Sequence, residues 1–350
     1  MQEVITLSQS KARELLKNKF LEALKEGKIP WKCPWVKYQN GVSQHEYKGI
    51  NKVLISYIST ERGYTDPRFY TFNQIKEMKL HLSSESKGKG IPVEFWSLYD
   101  IIKKKTITIK EYEENYQDKQ KDVRWMVRNY CVFNAKYIEG LPEFRDNSLD
   151  RSYIESDHKL FLDNLVKNMG LTFDDTAGDS AYYLPSKDLV QLPPYNSFYI
   201  EEDYYETAFH ELAHATGHES RLNRDIKNAF GTIAYAKEEL RAEIASTFLS
   251  ADIGIIADRS IENHKGYIKS WIDILENQEN ELFKAIADAE KIVDYMKDKG
   301  EYEKIYTIQE EIENKNHIRK EDIGNKINNQ QKELLKENKT VERKNNIVER

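Results

Sequence analysis

The run from Tyr204 to His214 holds His210, Glu211 and His214 in the order HExxH, and no other feature constrains the fold as tightly. On an α-helix, residues four apart share a face and lie about 6 Å apart along the axis, so both imidazoles can reach one tetrahedral ion. Glu211 is too close in sequence to His210 to share that ion comfortably, yet it can accept the proton of a water that the ion polarises, as general base. The pattern also arises by chance on ordinary helices, so its surroundings matter. Glu201, Glu202 and Asp203 give the acidic first turn that a helix N-terminus favours, while Ala208, Phe209, Leu212 and Ala213 give a packing face. A buried helix presenting histidines to a metal is the expectation.

A third ligand must come from elsewhere. Residues 235–249 read as a second helix, with Leu240, Ile244 and Phe248 as its apolar stripe and Glu239 and Glu243 on another face. Across from the HExxH helix, one of these acids can ligate while the next orients a ligating histidine. Glu239 is the expected ligand and Glu243 the orienting group, with the reverse assignment open; Glu238, turned about 100° from Glu239, is the weakest of the three. One Zn2+ would then be held by His210, His214 and Glu239, with water in the fourth position. His218 would stand about 12 Å from His210 on a continuous helix, too far for the same ion, and is assigned to capping or packing. Tyr235 is positioned as an oxyanion donor, although one tyrosine among 22 is more often structural.

The remaining sequence bounds the class. A 350-residue chain can bury two cores, and its 39% hydrophobic content contains no apolar run long enough to span a bilayer. Met1 to Leu7 lack the basic and apolar regions of a secretory signal, so a cytoplasmic location is expected. Two cysteines, Cys33 and Cys131, exclude a disulfide framework or cysteine-rich zinc site. The net charge of −6 is unevenly placed: residues 1–142 hold 25 Lys and Arg against 17 Asp and Glu, and residues 143–350 hold 28 against 42. A basic front suits an anionic partner, although solubility alone also yields basic surfaces.

Along the chain, residues 8–27 form an amphipathic helix ended by Gly27 and Pro30. Segments 47–55, 69–74, 91–96 and 130–134 read as short strands or turns, and 97–124 as a charged surface excursion. The polar stretch 143–152 is the expected boundary, followed by a helix at about 154–169 and a hairpin of 181–183 with 188–192. An edge strand of that hairpin could bind extended peptide, but a purely structural hairpin is at least as consistent with the residues. Two further helices fall within 262–298, and residues 299–350 form a charged tail expected to be disordered or transiently helical.

Aromatic and basic residues interleave in the front segment, an arrangement suited to stacking bases and pairing phosphates of single-stranded DNA. Trp31, Trp35, Lys48, Asn51, Arg68, Lys87 and Lys89 are the candidates, although most aromatics must build the core.

With both halves read, the chain resembles the ArdC-type antirestriction proteins. The resemblance covers roughly residues 5–298 and rests on Pro30-Trp31 with Pro34-Trp35, Tyr47 to Asn51, Thr71 to Gln74, Val132 to Asn134, Glu139 to Pro142 and Leu192 to Pro194. It continues through His210 to His218, Arg221 to Arg224, Glu238 to Glu243, and Asn263 to Trp271. It implies an α+β protein of two domains: a mixed α/β single-stranded-DNA-binding domain over 1–142 and a zincin-like metallopeptidase domain over 143–298, with 299–350 as tail. It also implies protection of incoming mobile-element DNA from host restriction, with a metal-dependent activity of uncertain target; a protein substrate or the restriction machinery is the candidate protein partner, and the composition leads us to expect no membrane partner. Two other classes fit the residues: a non-enzymatic DNA-binding protein with a structural zinc, and a metalloprotease whose front domain recruits protein substrates.

Overall fold

The computed structural model describes residues 10–31, 37–116, 122–144, 155–229, 231–255, 265–278 and 280–307. The architecture is α+β. Helix α1 (Lys11–Lys25) starts where the Ser10 hydroxyl accepts from the Arg13 amide at 3.3 Å, and it buries Leu16, Phe20, Ala23 and Leu24 at helical spacing. A five-stranded sheet has the order β1-β2-β6-β4-β5, built from Gln39–Asn40, Arg68–Thr71, Val123–Asn134, Ile91–Asp100 and Lys105–Ile107. Strands β4 and β6 pair antiparallel from Ile91↔Val132 to Asp100↔Val123 and form its longest ladder. A two-stranded ladder of β3 (His81–Leu82) and β7 (Ile138–Glu139) lies beside the short helix α3 (Phe72–Glu77).

Two readings of the front segment are corrected. Residues 49–62, whose start was read as strand or turn, form α2 (Gly49–Arg62), closed by Gly63 at φ 62°. Val53, Leu54, Ile55 and Ile58 are all buried there, so tertiary burial outweighs the strand preference of their branched side chains. The stretch 97–124 is no surface excursion. It holds the second half of β4, all of β5, helix α4 (Ile109–Asn115) and the start of β6, around a small core of Leu98, Ile107 and Tyr116.

Helix α5 (Glu155–Met169) and the hairpin of β9 (Tyr182–Leu184) with β10 (Leu189–Gln191) appear as expected, and β10 also pairs in parallel with β8 (Thr172–Asp174). Strands β9 and β8 are the two edges of this sheet. Then come α6 (Glu201–Ala215), α7 (Ile233–Asp252), α8 (Lys265–Asn277) and α9 (Glu281–Lys299). Among the described residues no helix is long and apolar enough to cross a membrane.

The chain divides into two compact units, one drawing on Met1–Tyr153 and Met169–Met296, the other on Ile154–Asn168 and Lys297–Arg350. In the second, Phe161 and Tyr306 are fully buried ring against ring, and the Asn168 amide donates to the Lys299 carbonyl at 2.8 Å. A Cβ on Gly300 would meet the Phe161 ring at 2.2 Å, so only glycine fits. The tail, expected to be disordered or transiently helical, is helical over Glu303–Thr307, and Tyr302, Ile305 and Tyr306 find burial; 308–350 lie outside the described residues.

Within the first unit, the basic front and the acidic remainder share a core. Trp31 is fully buried, with its ring centroid 5.9 Å from Phe20 and 5.0 Å from Trp271. The Trp271 indole in turn donates to the Ala236 carbonyl in the first turn of α7, at 2.9 Å. Lys52 of α2 lies 3.6 Å from Asp252 and 4.7 Å over the Phe248 ring, both on α7. Replacing Trp31 with alanine should therefore cost about 3–5 kcal/mol in denaturant unfolding. A loss below about 1 kcal/mol would place Trp31 outside the shared core.

Candidate metal centre

Helix α6 carries no side-chain cap at Ile200, and Glu201, Glu202 and Asp203 complement its N-terminal dipole instead. Its buried residues include Ala208, Phe209, Leu212 and Ala213, while His210 and His214 meet the carboxylates of α7. Helix α7 begins at Thr232, whose hydroxyl accepts from the Tyr235 amide at 3.2 Å, and this start sets which carboxylates face the histidines.

His210, His214 and Glu239 converge. The two Nε2 atoms are 3.2 Å apart, and Glu239 places Oε1 3.4 Å from His214 Nε2 and Oε2 3.7 Å from His210 Nε2. Donors about 2.0–2.1 Å from a tetrahedral ion stand about 3.3 Å from one another, so these three separations trace one face of such a site. The donor set of two imidazoles and a carboxylate is that of a hydrolytic zinc site and also accepts other divalent ions.

Outer groups fix the rings. Glu243 comes within 3.4 Å of His210 Nδ1, an ion-pair separation without hydrogen-bond alignment, and Glu238 lies 3.4 Å from His214 Nδ1. Glu238 is held by Arg224, whose Nη2 donates to Oε1 at 2.6 Å and Nε to Oε2 at 3.3 Å. The same guanidinium donates to the Thr216 hydroxyl at 2.6 Å and the Ala213 carbonyl at 2.8 Å, clamping the end of α6 to α7. Burial opposes ionisation of Glu239, but hydrogen bonds from His210 and His214 hold its carboxyl well below the usual range. Burial likewise opposes charge on His214, yet hydrogen bonds to Glu238 and Glu239 raise it well above the usual imidazole value.

These groups line a cavity of about 700 Å³ with Glu211, Tyr182 and Tyr183 of the β9 region, Phe198, Asp203, Tyr235 and Tyr267. Burial raises the Tyr235 phenol far above its ordinary value, and hydrogen bonds to Tyr267 and Glu239 add to the rise, so it stays a neutral donor beside the Glu239 carboxylate. Glu238, Arg224 and Tyr267 escaped the sequence reading. Glu238 was discounted because it points away from Glu239 on the helix, but His214 has two ring nitrogens, and adjacent residues of α7 reach one each. His218 forms a local turn with Ser220, its Nδ1 2.8 Å from the hydroxyl, which agrees with a capping role.

The residues singled out for DNA fare differently. Trp31 is core, because the interior needs its volume against Phe20 and Trp271. Asn51 bonds both backbone groups of Glu94 on β4, at 2.6 and 2.9 Å, and Arg68 pairs with Asp66 at 2.7 Å and the Pro142 carbonyl at 2.8 Å. Lys48 and Lys87 are exposed, Lys89 partly so, and Trp35 lies outside the described residues.

Two outcomes follow for the metal centre. Arg224→Ala frees Glu238 and should weaken metal binding about 10–100-fold by competition titration, while Glu239→Ala should weaken it far more. Because an ion must displace the proton that His214 holds at neutral pH, affinity should rise about tenfold per pH unit and level off only above the raised His214 value. Affinity independent of pH between 6 and 8 would contradict that arrangement.

Two families match the chain: the N-terminal domain of anti-restriction factor ArdC over residues 10–133, and a zincin-like metallopeptidase over residues 161–288. A DNA primase TraC of Escherichia coli is 35% identical over 301 residues, and a second is 34% identical over 298; the match takes in 81% of this chain but only 20% and 27% of theirs. The uncharacterized protein y4eC of Sinorhizobium fredii is 26% identical over 291 residues, 90% of its length. The crystal structure of the antirestriction ArdC protein from plasmid R388 is similar in its metal-free form (TM-score 0.64, 26% identity, 83% of this chain and 98% of that one). It is equally similar in its Mn(II)-bound form (TM-score 0.64, 28% identity, 82% and 97%). Matched in both halves and along nearly the whole of a solved relative, the chain belongs to the ArdC-type antirestriction family, with an ArdC N-terminal domain and a zincin-like metallopeptidase domain.

Proposed function

We propose that this chain protects incoming mobile-element DNA in the cytoplasm, binding single strands through residues 1–142 and hydrolysing a polypeptide at the metal centre of residues 143–298. One observation carries the hydrolytic part: His210, His214 and Glu239 stand at the separations of a tetrahedral site, and Glu211 lines the same cavity. A purely structural zinc is usually closed by a fourth protein ligand, whereas this centre adjoins a cavity of about 700 Å³. Relatives named as a plasmid antirestriction protein and as DNA primases support a DNA-handling role.

A divalent ion, with zinc the first candidate and Mn(II) the ion of the solved relative, would supply Lewis acidity at the carbonyl and acidify water. The chain's own residues do the rest. Glu211 accepts the proton of the attacking water and returns it to the leaving amine. Glu243 and Glu238 hold the two imidazoles so that each Nε2 faces the ion, and Arg224 keeps Glu238 ionised for that task. The Tyr235 phenol, neutral at working pH, is placed to donate to an oxyanion. Edge strand β9, which pairs only with β10 among the described strands and contributes Tyr182 and Tyr183 to the cavity wall, suits an extended peptide added as a further strand.

Glu211→Gln should lower cleavage of DNA-bound and free polypeptides by about 10²–10⁴-fold while metal content is unchanged. Cleavage persisting in that variant would remove Glu211 from the mechanism. No cleavage by the intact chain, together with unfolding on metal removal, would favour the structural-zinc reading. For the DNA part, anisotropy of labelled oligonucleotides should show single strands bound more tightly than duplex, with affinity falling as salt rises.

A further inference from the structure

We propose that the face of the β4–β6 ladder bearing Phe95, Tyr99, Arg124, Arg128 and Tyr130 is the surface on which single-stranded DNA lies. The inference rests on the single-strand-binding reading above and gives it a location, since the fold has committed Trp31, Asn51 and Arg68 elsewhere.

The register carries the argument. Residues directly opposite in an antiparallel pair point to the same side, and each strand alternates sides. The pairs Val93↔Tyr130, Phe95↔Arg128, Ser97↔Met126 and Tyr99↔Arg124 therefore share one side. Ring contacts agree with this parity, because the Phe95 and Tyr130 centroids are 6.3 Å apart and the Arg124 guanidinium lies 5.7 Å over the Tyr99 ring.

On that side the aromatic surface is open. Phe95 is 57% exposed and Tyr130 39%, and both arginines are exposed. Neither arginine has a carboxylate partner among the described residues; Arg124 meets only the Tyr99 ring. The acids of β4, Glu94 and Asp100, fall at the other parity, where Glu94 binds Arg13 at 2.9 Å and the Trp96 indole at 2.9 Å, and Asp100 accepts from Tyr116 at 2.5 Å. Strand β6 contains no acid at all.

The result is a ledge of three aromatic rings and two guanidinium groups that have no carboxylate partner among the described residues. Phe95 and Tyr99 lie about 13 Å apart along one strand, as do Arg124 and Arg128 along the other, enough for a few nucleotides. Unpaired bases can stack on Phe95 and Tyr130 while Arg124 and Arg128 meet phosphates, a combination that a duplex cannot use because its bases face one another. A protein partner would need carboxylates for the arginines, but it would gain nothing from unpaired bases, which separates the two in the test.

The experiment is anisotropy of a labelled oligothymidylate of about twenty nucleotides, titrated with the full chain at two salt concentrations. Phe95→Ala and Tyr130→Ala should each weaken binding about tenfold, and Arg128→Gln should also reduce the salt dependence by about one phosphate contact. Trp125→Ala is the control, since Trp125 is 55% exposed on the opposite side of the ladder, across from Leu98. It should bind as the parent does. All four side chains are exposed, so unchanged melting and metal content report that the variants fold. Binding by the parent that is unaltered in the face variants, or reduced equally in Trp125→Ala, would overturn the location while leaving single-strand binding intact. Equal affinity for duplex, or tighter binding to an RNA oligomer of matched length, would overturn the ligand. No binding by the parent would remove both the location and the reading beneath it.

Discussion

The pairing of α6 with α7 is the contact on which the rest of the second half depends. Two imidazoles project from one helix and three glutamates from the other, and each polar group is buried or nearly so. Burying such charges costs several kcal/mol apiece unless each meets an opposite or hydrogen-bonding partner. Glu239 meets both Nε2 atoms, Glu243 and Glu238 meet the Nδ1 atoms, and Arg224 offsets Glu238 while closing the end of α6. Helix register is thereby fixed, since a slip of one residue would put an apolar side chain opposite a histidine.

The front half bears on this site through packing. Trp31 rests on Trp271, and Trp271 holds the Ala236 carbonyl two residues before Glu238. Lys52 reaches Asp252 at the other end of α7, and the Gly49 amide at the start of α2 donates to Glu290 of α9. The helix that supplies the carboxylates is therefore met at one end directly by Lys52 of the ArdC-like segment and at the other by Trp271, on which Trp31 of that segment rests. A ligand on the β4–β6 face and a substrate at the metal would act on one compact unit rather than on two bodies joined by a tether.

Much of this was legible because it is local. HExxH fixes its own geometry once the segment is helical, the apolar stripe of 235–249 marks α7, and the turn residues between 184 and 189 mark the hairpin. What misled was burial. Residues 47–55 look like a strand or turn until the helix they open is covered, and the charges of 97–124 look like a loop until Leu98, Ile107 and Tyr116 are seen to pack together. Trp31 looked like a stacking platform because sequence reports residue type and leaves exposure unstated.

By itself, the sequence determined the helix that carries HExxH, the carboxylate-bearing helix that follows, the α+β class and the family. These depend on spacings of a few residues along a helix or on ordered blocks of motif. The tertiary structure decided which glutamate meets which ring nitrogen, that Arg224 joins them, and which aromatics of the front half remain at the surface. Those outcomes depend on residues far apart in the chain and on which side of a strand or helix is covered. Spacing along the sequence holds no information about either.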